Sequence, residues 1–476
     1  MHWIDLTIFT VYLIFMLSVG FFFLRKNKDT DDYFVGGRKM SSLHIGLSVV
    51  ATDVGGGFSI GLGGLGFVMG VSGSWLLFSG LIGAWLTAVV LVPKVHRLSQ
   101  RQNLLSFPQF LEKSYSKQVA LIAGIISAIG YLGFTSSQIL AGAKLAAATF
   151  PSLSFTTALL VMGVIAVVYT VLGGLKAVIY TDTIQWIILM GGLIFVALPL
   201  CYFAVGGFDA IRETLPASYL SFTNISWQQF LNWMITVIPI WFIGMTLYQR
   251  IYASRTPKSA QRAWFIAGLF EYPLMAFTGV LLGLLAKVAY ENGMLAVSGF
   301  PIGSEIDSEM GLPVLLKTVL PVGLTGIVLS AYFSAIMSTA DSCLMAASGN
   351  VLTDIIKGHN HPSGLRISQL LTLAIGVIAL LLAFKMPNVL DLMLHSYTFM
   401  VSGLFIPVIA TLIKTNNNNS LAAFWSMIVG GCTSLTLIVL NLDLPLGLDP
   451  IIFGIASSLA VFVLLSFAKR TPQVSI

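Results

Sequence analysis

The chain has 476 residues, 57% of them apolar and only 9% charged, with a mean hydropathy of +0.91. This composition excludes an ordinary soluble domain and marks an all-α polytopic membrane protein. The formal net charge of +6 does not mark a nucleic-acid surface, because the basic residues fall between hydrophobic segments, a distribution that reports topology.

Hydrophobic runs predict thirteen crossings, near 3–24, 41–70, 73–96, 118–149, 153–175, 182–206, 228–252, 260–290, 314–355, 364–386, 389–413, 419–441 and 448–468. Several exceed the roughly 20 residues that a crossing needs, which implies tilt or extension beyond the hydrocarbon. The first run has no basic n-region and no small-residue cleavage site and reads as a retained helix. Cys201, Cys343 and Cys432 lie inside apolar segments without metal-ligand spacing and read as packing residues. Basic residues concentrate on one set of alternate loops and segment ends, from Arg25 and Lys26 through Lys94, Lys176 and Arg250 to Lys469 and Arg470. The other side keeps Lys144, Arg212, Lys287, Lys317 and Lys385. The positive-inside rule then places the N-terminus outside and the C-terminus in the cytoplasm. Asn416–Asn419 reads as a solvated turn on the cytoplasmic side.

Two crossings look interrupted. In the second, Asp53 precedes Gly55, Gly56 and Gly57; in the seventh, Pro239 and Gly244 stand mid-segment. Broken helices at matching places in two halves point to a transporter site at the bilayer midplane. The two breaks are five crossings apart, an odd number, so the second half is expected to be inverted relative to the first. Between residues 330 and 354, Ser338, Thr339, Asp341 and Ser342 follow in quick succession in an apolar helix, with Ser338, Asp341 and Ser342 on one face and Thr339 beside them. A carboxylate at membrane depth faces a partner, a cavity or an ion path, and such oxygens suit a hard cation. Small polar residues that only pack helices are the bland alternative. If the first break faces this helix, the carbonyls of Ala51 and Val54 join the hydroxyls of Ser338 and Thr339 around one sodium ion, leaving Asp53 for substrate or ion attraction. Asp182 either caps a helix re-entering the membrane or binds an ion; the residues alone leave both open. No Walker motif, zinc spacing or nucleophile triad is present, so neither ATP hydrolysis nor covalent catalysis is expected. The chain is not read as an enzyme, and no cofactor is expected.

DYFVGGRKM at Asp32–Met40, YTVLGGLKA at Tyr169–Ala177, YTDTIQ at Tyr180–Gln185, Gln249-Arg250 and AIMSTADS at Ala335–Ser342 resemble the sodium/solute symporter family. The resemblance covers nearly the whole chain. It implies a five-plus-five inverted-repeat core of the leucine-transporter type, with one extra helix before it and two after. The corresponding parts are residues 1–26, a first repeat at 40–206, a second at 227–414, and two C-terminal helices at 419–470. It also implies sodium as the coupling ion and a principal sodium site at Ala51, Val54, Ala335, Ser338 and Thr339. A second site, which some members have, would use Asp182, Ser338, Asp341 and Ser342. Asp341 stands where many members carry serine, though the choline-transporter-like branch also has Ala-Asp-Ser; an extra carboxylate either strengthens that site or binds a proton. Asp53 matches an aspartate of bacterial proline/sodium symporters, whereas the choline branch has tryptophan there. The expected cargo is therefore a small zwitterion or amine such as proline. Gly55 and Gly57 would offer N–H groups to a carboxylate, and Asp53, Phe58, Phe134, Gln138, Trp241 and His395 are further substrate candidates. Choline, sugar or carboxylate cargo, proton coupling through Asp341, Asp182 or Asp53, and a membrane sensor with a separate signalling partner are the alternatives. The expected location is the cell (inner or plasma) membrane.

Overall fold

A computed structural model of the protein describes residues 2–24, 34–38, 40–150, 153–357, 361, 363–413 and 419–468. At Asp53, Val54, Gly57, Phe58, Gly173, Gly174 and Lys176, among others, it describes backbone only. Asn416, and with it Arg25, Lys26, Lys469 and Arg470, lies outside the described residues.

The described residues form helices and no strand. In order these are α1 (Trp3–Leu24), α2 (Ser42–Met69), α3 (Trp75–Val90), α4 (Val92–Gln102), α5 (Phe107–Ser114), α6 (Lys117–Thr149) and α7 (Phe155–Gly192). After them come α8 (Leu198–Ala204), α9 (Gly207–Thr214), α10 (Trp227–Ile243), α11 (Met245–Ala253), α12 (Pro257–Leu269) and α13 (Ala276–Glu291). The chain closes with α14 (Ser308–Val319), α15 (Leu324–Asn350), α16 (Gly364–Ala383), α17 (Val389–Leu412), α18 (Ser420–Leu440) and α19 (Pro450–Ala468). Their starts follow local chemistry. Ser41, Ser106, Ser116, Ser154, Ser226, Thr256, Asp307 and Asn419 each stand at an N-cap, and their side chains accept an N–H of the first turn.

Among the described residues, nine helices are long and apolar enough to cross a membrane, or ten when the bent pair α10–α11 counts as one span. Shorter apolar helices at Trp3–Phe15, Ser42–Thr52 and Phe155–Val171 stand at the first, second and fifth expected crossings. Helix α15 is the hub: 94% of its apolar window is buried, and it packs on α1, α2, α6 and α7. Lipid tails are as apolar as the side chains, so tight packing rather than the hydrophobic effect draws such helices together. Helices α2 and α13 show the device. A Cβ on Gly66 would lie 2.1 Å from the Val280 carbonyl oxygen, and one on Gly283 would lie 2.0 Å from that of Gly63.

Both expected breaks are present. Inside α2, Gly55 leaves helical geometry (φ 7°, ψ −161°). Gly244 (φ −62°, ψ 115°) separates α10 from α11, which bend by 42° at that point.

Four expectations change. The backbone is helical without interruption from Phe155 to Gly192, so Asp182 starts no helix and caps none. Arg250, counted with the topology-setting residues at segment ends, is fully buried; its charge is answered inside the bundle. Lys144, counted with the basic residues of the other side, is not at the surface either. It is 3% exposed and bonds Asp307 at 2.6 Å and Glu309 at 2.5 Å, while Glu309 also accepts the first N–H groups of α17, from Val389 and Leu390, both at 3.0 Å. Cys201 and Cys343 are buried as expected for packing, but Cys432 is exposed on its helix.

Candidate cation and substrate site

The break in α2 sits against α15. The Thr339 hydroxyl donates to the Ala51 carbonyl at 2.9 Å and lies 3.2 Å from the Ala335 carbonyl one turn back on its own helix. Gly55 permits this approach, since a Cβ there would fall 2.2 Å from the Thr339 Oγ1. Three neutral oxygens thus converge in a buried place, the donor set of a hard monovalent cation. Ser338 is one residue away, but its hydroxyl donates to Asp182 Oδ1. The Val54 side chain lies outside the described residues, as do those of Asp53 and Phe58.

Helix α6 serves both breaks. The Gln138 Oε1 accepts the Gly56 N–H at 2.7 Å, and the Tyr131 hydroxyl accepts the Thr246 N–H at 3.2 Å. Tyr131 and Gln138 are seven residues apart, two helical turns, so one face of α6 reaches both. Each answers an N–H beside a break, where the helical ladder is interrupted. Between them Phe134 packs edge-on against Tyr397 with centroids 5.1 Å apart and stacks on Tyr131 at 6.4 Å. Gln138 thus bonds the residue after the Gly55 break, whereas Phe134 packs among the aromatic rings of α6 and α17. Trp241 lies elsewhere: it is buried where Gly80 and Gly83 admit it, and a Cβ on Gly83 would sit 2.4 Å from its ring. His395 is exposed, with Asp449 near enough for the two to interact electrostatically.

A second polar cluster surrounds Asp182. Ser48 donates to its Oδ2 at 2.5 Å, and Arg250 Nη2 stands 3.4 Å from the same oxygen. The guanidinium also donates from Nε to Ser48 at 3.0 Å, from Nη1 to the Thr246 carbonyl at 3.2 Å, and from Nη2 to Thr52 at 2.5 Å and Ser342 at 2.9 Å. Every member is buried. Of the expected second set, Asp182, Ser338 and Ser342 come together, whereas the Asp341 Oδ1 accepts from Thr170 at 2.5 Å. The sequence reading missed Ser48, Thr52 and Arg250 as members. A signal existed: two hydroxyls four residues apart share a helix face, and an arginine in an apolar segment demands buried acceptors.

The model of the sodium:solute symporter family matches residues 33–430. The chain belongs to that family. This symporter is 27% identical over 474 residues to a high-affinity proline transporter of Bacillus subtilis, covering 96% of this chain and 97% of the relative. It is 26% identical over 483 residues to a sodium/proline symporter of Escherichia coli, covering 98% and 94%. Among solved structures, a substrate-bound, outward-open Na+-coupled sialic acid symporter with a novel Na+ site matches at a TM-score of 0.78 and 21% identity, over 98% of each chain. That likeness shows the shared transporter fold. The chain is thus an integral membrane secondary transporter rather than an enzyme, with sodium coupling and a small solute as its cargo.

Proposed function

We propose that this symporter imports a small zwitterion, proline or another amino acid first among them, by sodium-driven alternating access. The observation that carries the reading is the meeting of the Thr339 hydroxyl with the Ala51 and Ala335 carbonyls at the Gly55 break. A cation there replaces its water shell with these oxygens, together with those of Val54 and Ser338; the Ser338 hydroxyl need only rotate from Asp182 to join them. Substrate binds beside the ion, with Asp53, Gly55, Gly57 and Phe58 on the break and Phe134 and Gln138 on α6. The named activities of the two bacterial relatives favour proline. A quaternary amine is the second reading, favoured by the aromatic group of Tyr131, Phe134 and Tyr397, since aromatic faces attract such cations. The architecture we propose has thirteen crossings, an inverted five-plus-five core, an outside N-terminus and a cytoplasmic C-terminus in the cell membrane.

The test is uptake of radiolabelled proline by liposomes containing only this protein, under sodium, potassium or proton gradients. Sodium-dependent uptake suppressed by excess unlabelled proline supports the reading, and sodium-dependent uptake of radiolabelled choline with none of proline moves it to the quaternary amine. Uptake that follows the proton gradient and ignores sodium rejects it.

A further inference from the structure

The cluster around Asp182 holds a cation already. Besides the Ser48 hydroxyl at Arg250 Nε and the Thr246 carbonyl at Nη1, its acceptors are one carboxylate and two hydroxyls, from Asp182 on α7, Thr52 on α2 and Ser342 on α15. All three lie within 3.4 Å of a single nitrogen, Nη2 of Arg250. Thr52 and Ser342 are themselves 3.2 Å apart, so the group closes around that nitrogen. Carboxylate and hydroxyl oxygens are also what a sodium ion would use. The guanidinium and the ion carry the same charge and need the same lone pairs, and two like charges a few ångströms apart in a buried site repel strongly.

We propose that Arg250 is this symporter's tethered second cation: its guanidinium fills the pocket of Asp182, Thr52 and Ser342, and sodium enters there only when the side chain withdraws. The inference rests on the sodium-symport reading and adds to it the number of ions held. The position of Arg250 gives the exchange a mechanical sense. It rides on α11, directly beyond the Gly244 break, while Ser48 and Thr52 belong to the half of α2 before the Gly55 break. The guanidinium therefore binds one broken helix to the other, and a hinge movement at Gly244 carries it out of the pocket.

The test counts bound sodium. Purified full-length protein in detergent is titrated with radioactive sodium chloride at constant ionic strength held by N-methylglucamine chloride. Wild type is expected to bind one ion per chain, at a site that Thr339→Val weakens at least about tenfold. Arg250→Gln is expected to bind two, the second lost again when Asp182→Asn is added; Arg250→Lys, which keeps the charge, should stay at one. Folded Arg250→Gln protein that binds one ion at wild-type affinity overturns the proposal. Should that variant not fold, wild type decides the matter: a sodium ion that survives Thr339→Val and disappears with Asp182→Asn overturns it as well. Two ions in wild type reject this proposal alone, whereas no sodium binding in any form rejects the coupling reading beneath it.

Discussion

Thr339→Val is the sharpest probe of the cation site because it keeps shape and removes one oxygen. The hydroxyl is buried and makes its cross-helix bond to the Ala51 carbonyl at 2.9 Å. Its second contact, to the Ala335 carbonyl at 3.2 Å, is local to α15 and overlaps with the ordinary helical bond from the residue four positions on. The loss is therefore mainly one buried carbonyl left short of a donor, about 1–3 kcal/mol of stability. A ligand that interacts with a full charge contributes more, about 1.5–3 kcal/mol, which at about 1.4 kcal/mol per tenfold is roughly 10- to 150-fold in sodium affinity. The assay is the thermal midpoint of purified protein across a sodium titration, with potassium as control, since an ion that binds only the folded state raises stability by mass action. Thr339→Val should melt lower without sodium and require at least tenfold more sodium for the same rise, and Thr339→Ser should restore most of it. A Thr339→Val protein with the wild-type sodium midpoint would refute the reasoning, and the hydroxyl would count only as a packing contact.

Gly55→Ala should cost about 1–3 kcal/mol by overpacking, because the new methyl falls 2.2 Å from Thr339 Oγ1 and 2.5 Å from its Cβ; lower yield and weaker sodium response in the same thermal assay are the expected result. Lys144→Met leaves the buried Glu309 carboxylate without its cation and should destabilise by about 3 kcal/mol. Adding Glu309→Gln should recover part of that loss, and a double variant as unstable as the sum would show the pair to be uncoupled. Burial holds His96, which lies beyond the end of the Ile60–Val90 span, below the ordinary histidine range; its bond to the Ser254 carbonyl opposes this and the charge of Arg38 adds to it. The folded state then takes up a proton less readily than the unfolded chain, so stability should fall as pH drops below about 6.5 and level off above it. His96→Gln should flatten that part of the melting profile, and an unchanged slope would assign the effect to another group.

Much of this protein is legible in one dimension because the bilayer imposes strict local demands. Every backbone polar group in lipid must be satisfied within the segment, so long apolar runs declare helices wherever they occur. Glycines at 55–57 and the Pro239–Gly244 pair likewise declare breaks, and hydroxyls on one face of an apolar helix declare a polar pocket. Ala51, Ala335 and Thr339 were reachable in this way, once a family resemblance said which helix faces the first break.

What residue order did not determine is which partner answers each buried charge. Lys144 and Arg250 look like surface basic residues, since nothing near them in sequence supplies an acid; Asp307 and Glu309 reach the first and Asp182 the second from more than 60 residues away. The sequence leaves Asp182 open between a helix cap and an ion ligand, and the structure excludes the cap: the backbone continues helical and the carboxylate is buried against Ser338. Gln138 is a substrate candidate in the sequence and Tyr131 gives no signal there; only the packing of α6 across both breaks makes them acceptors for the N–H groups beside them. Helicity and apolar patterning are properties of neighbours within a few turns, so the sequence by itself determined the spans and their interruptions. Pairing of buried charge depends on which faces of distant helices meet, and that only the tertiary structure decided.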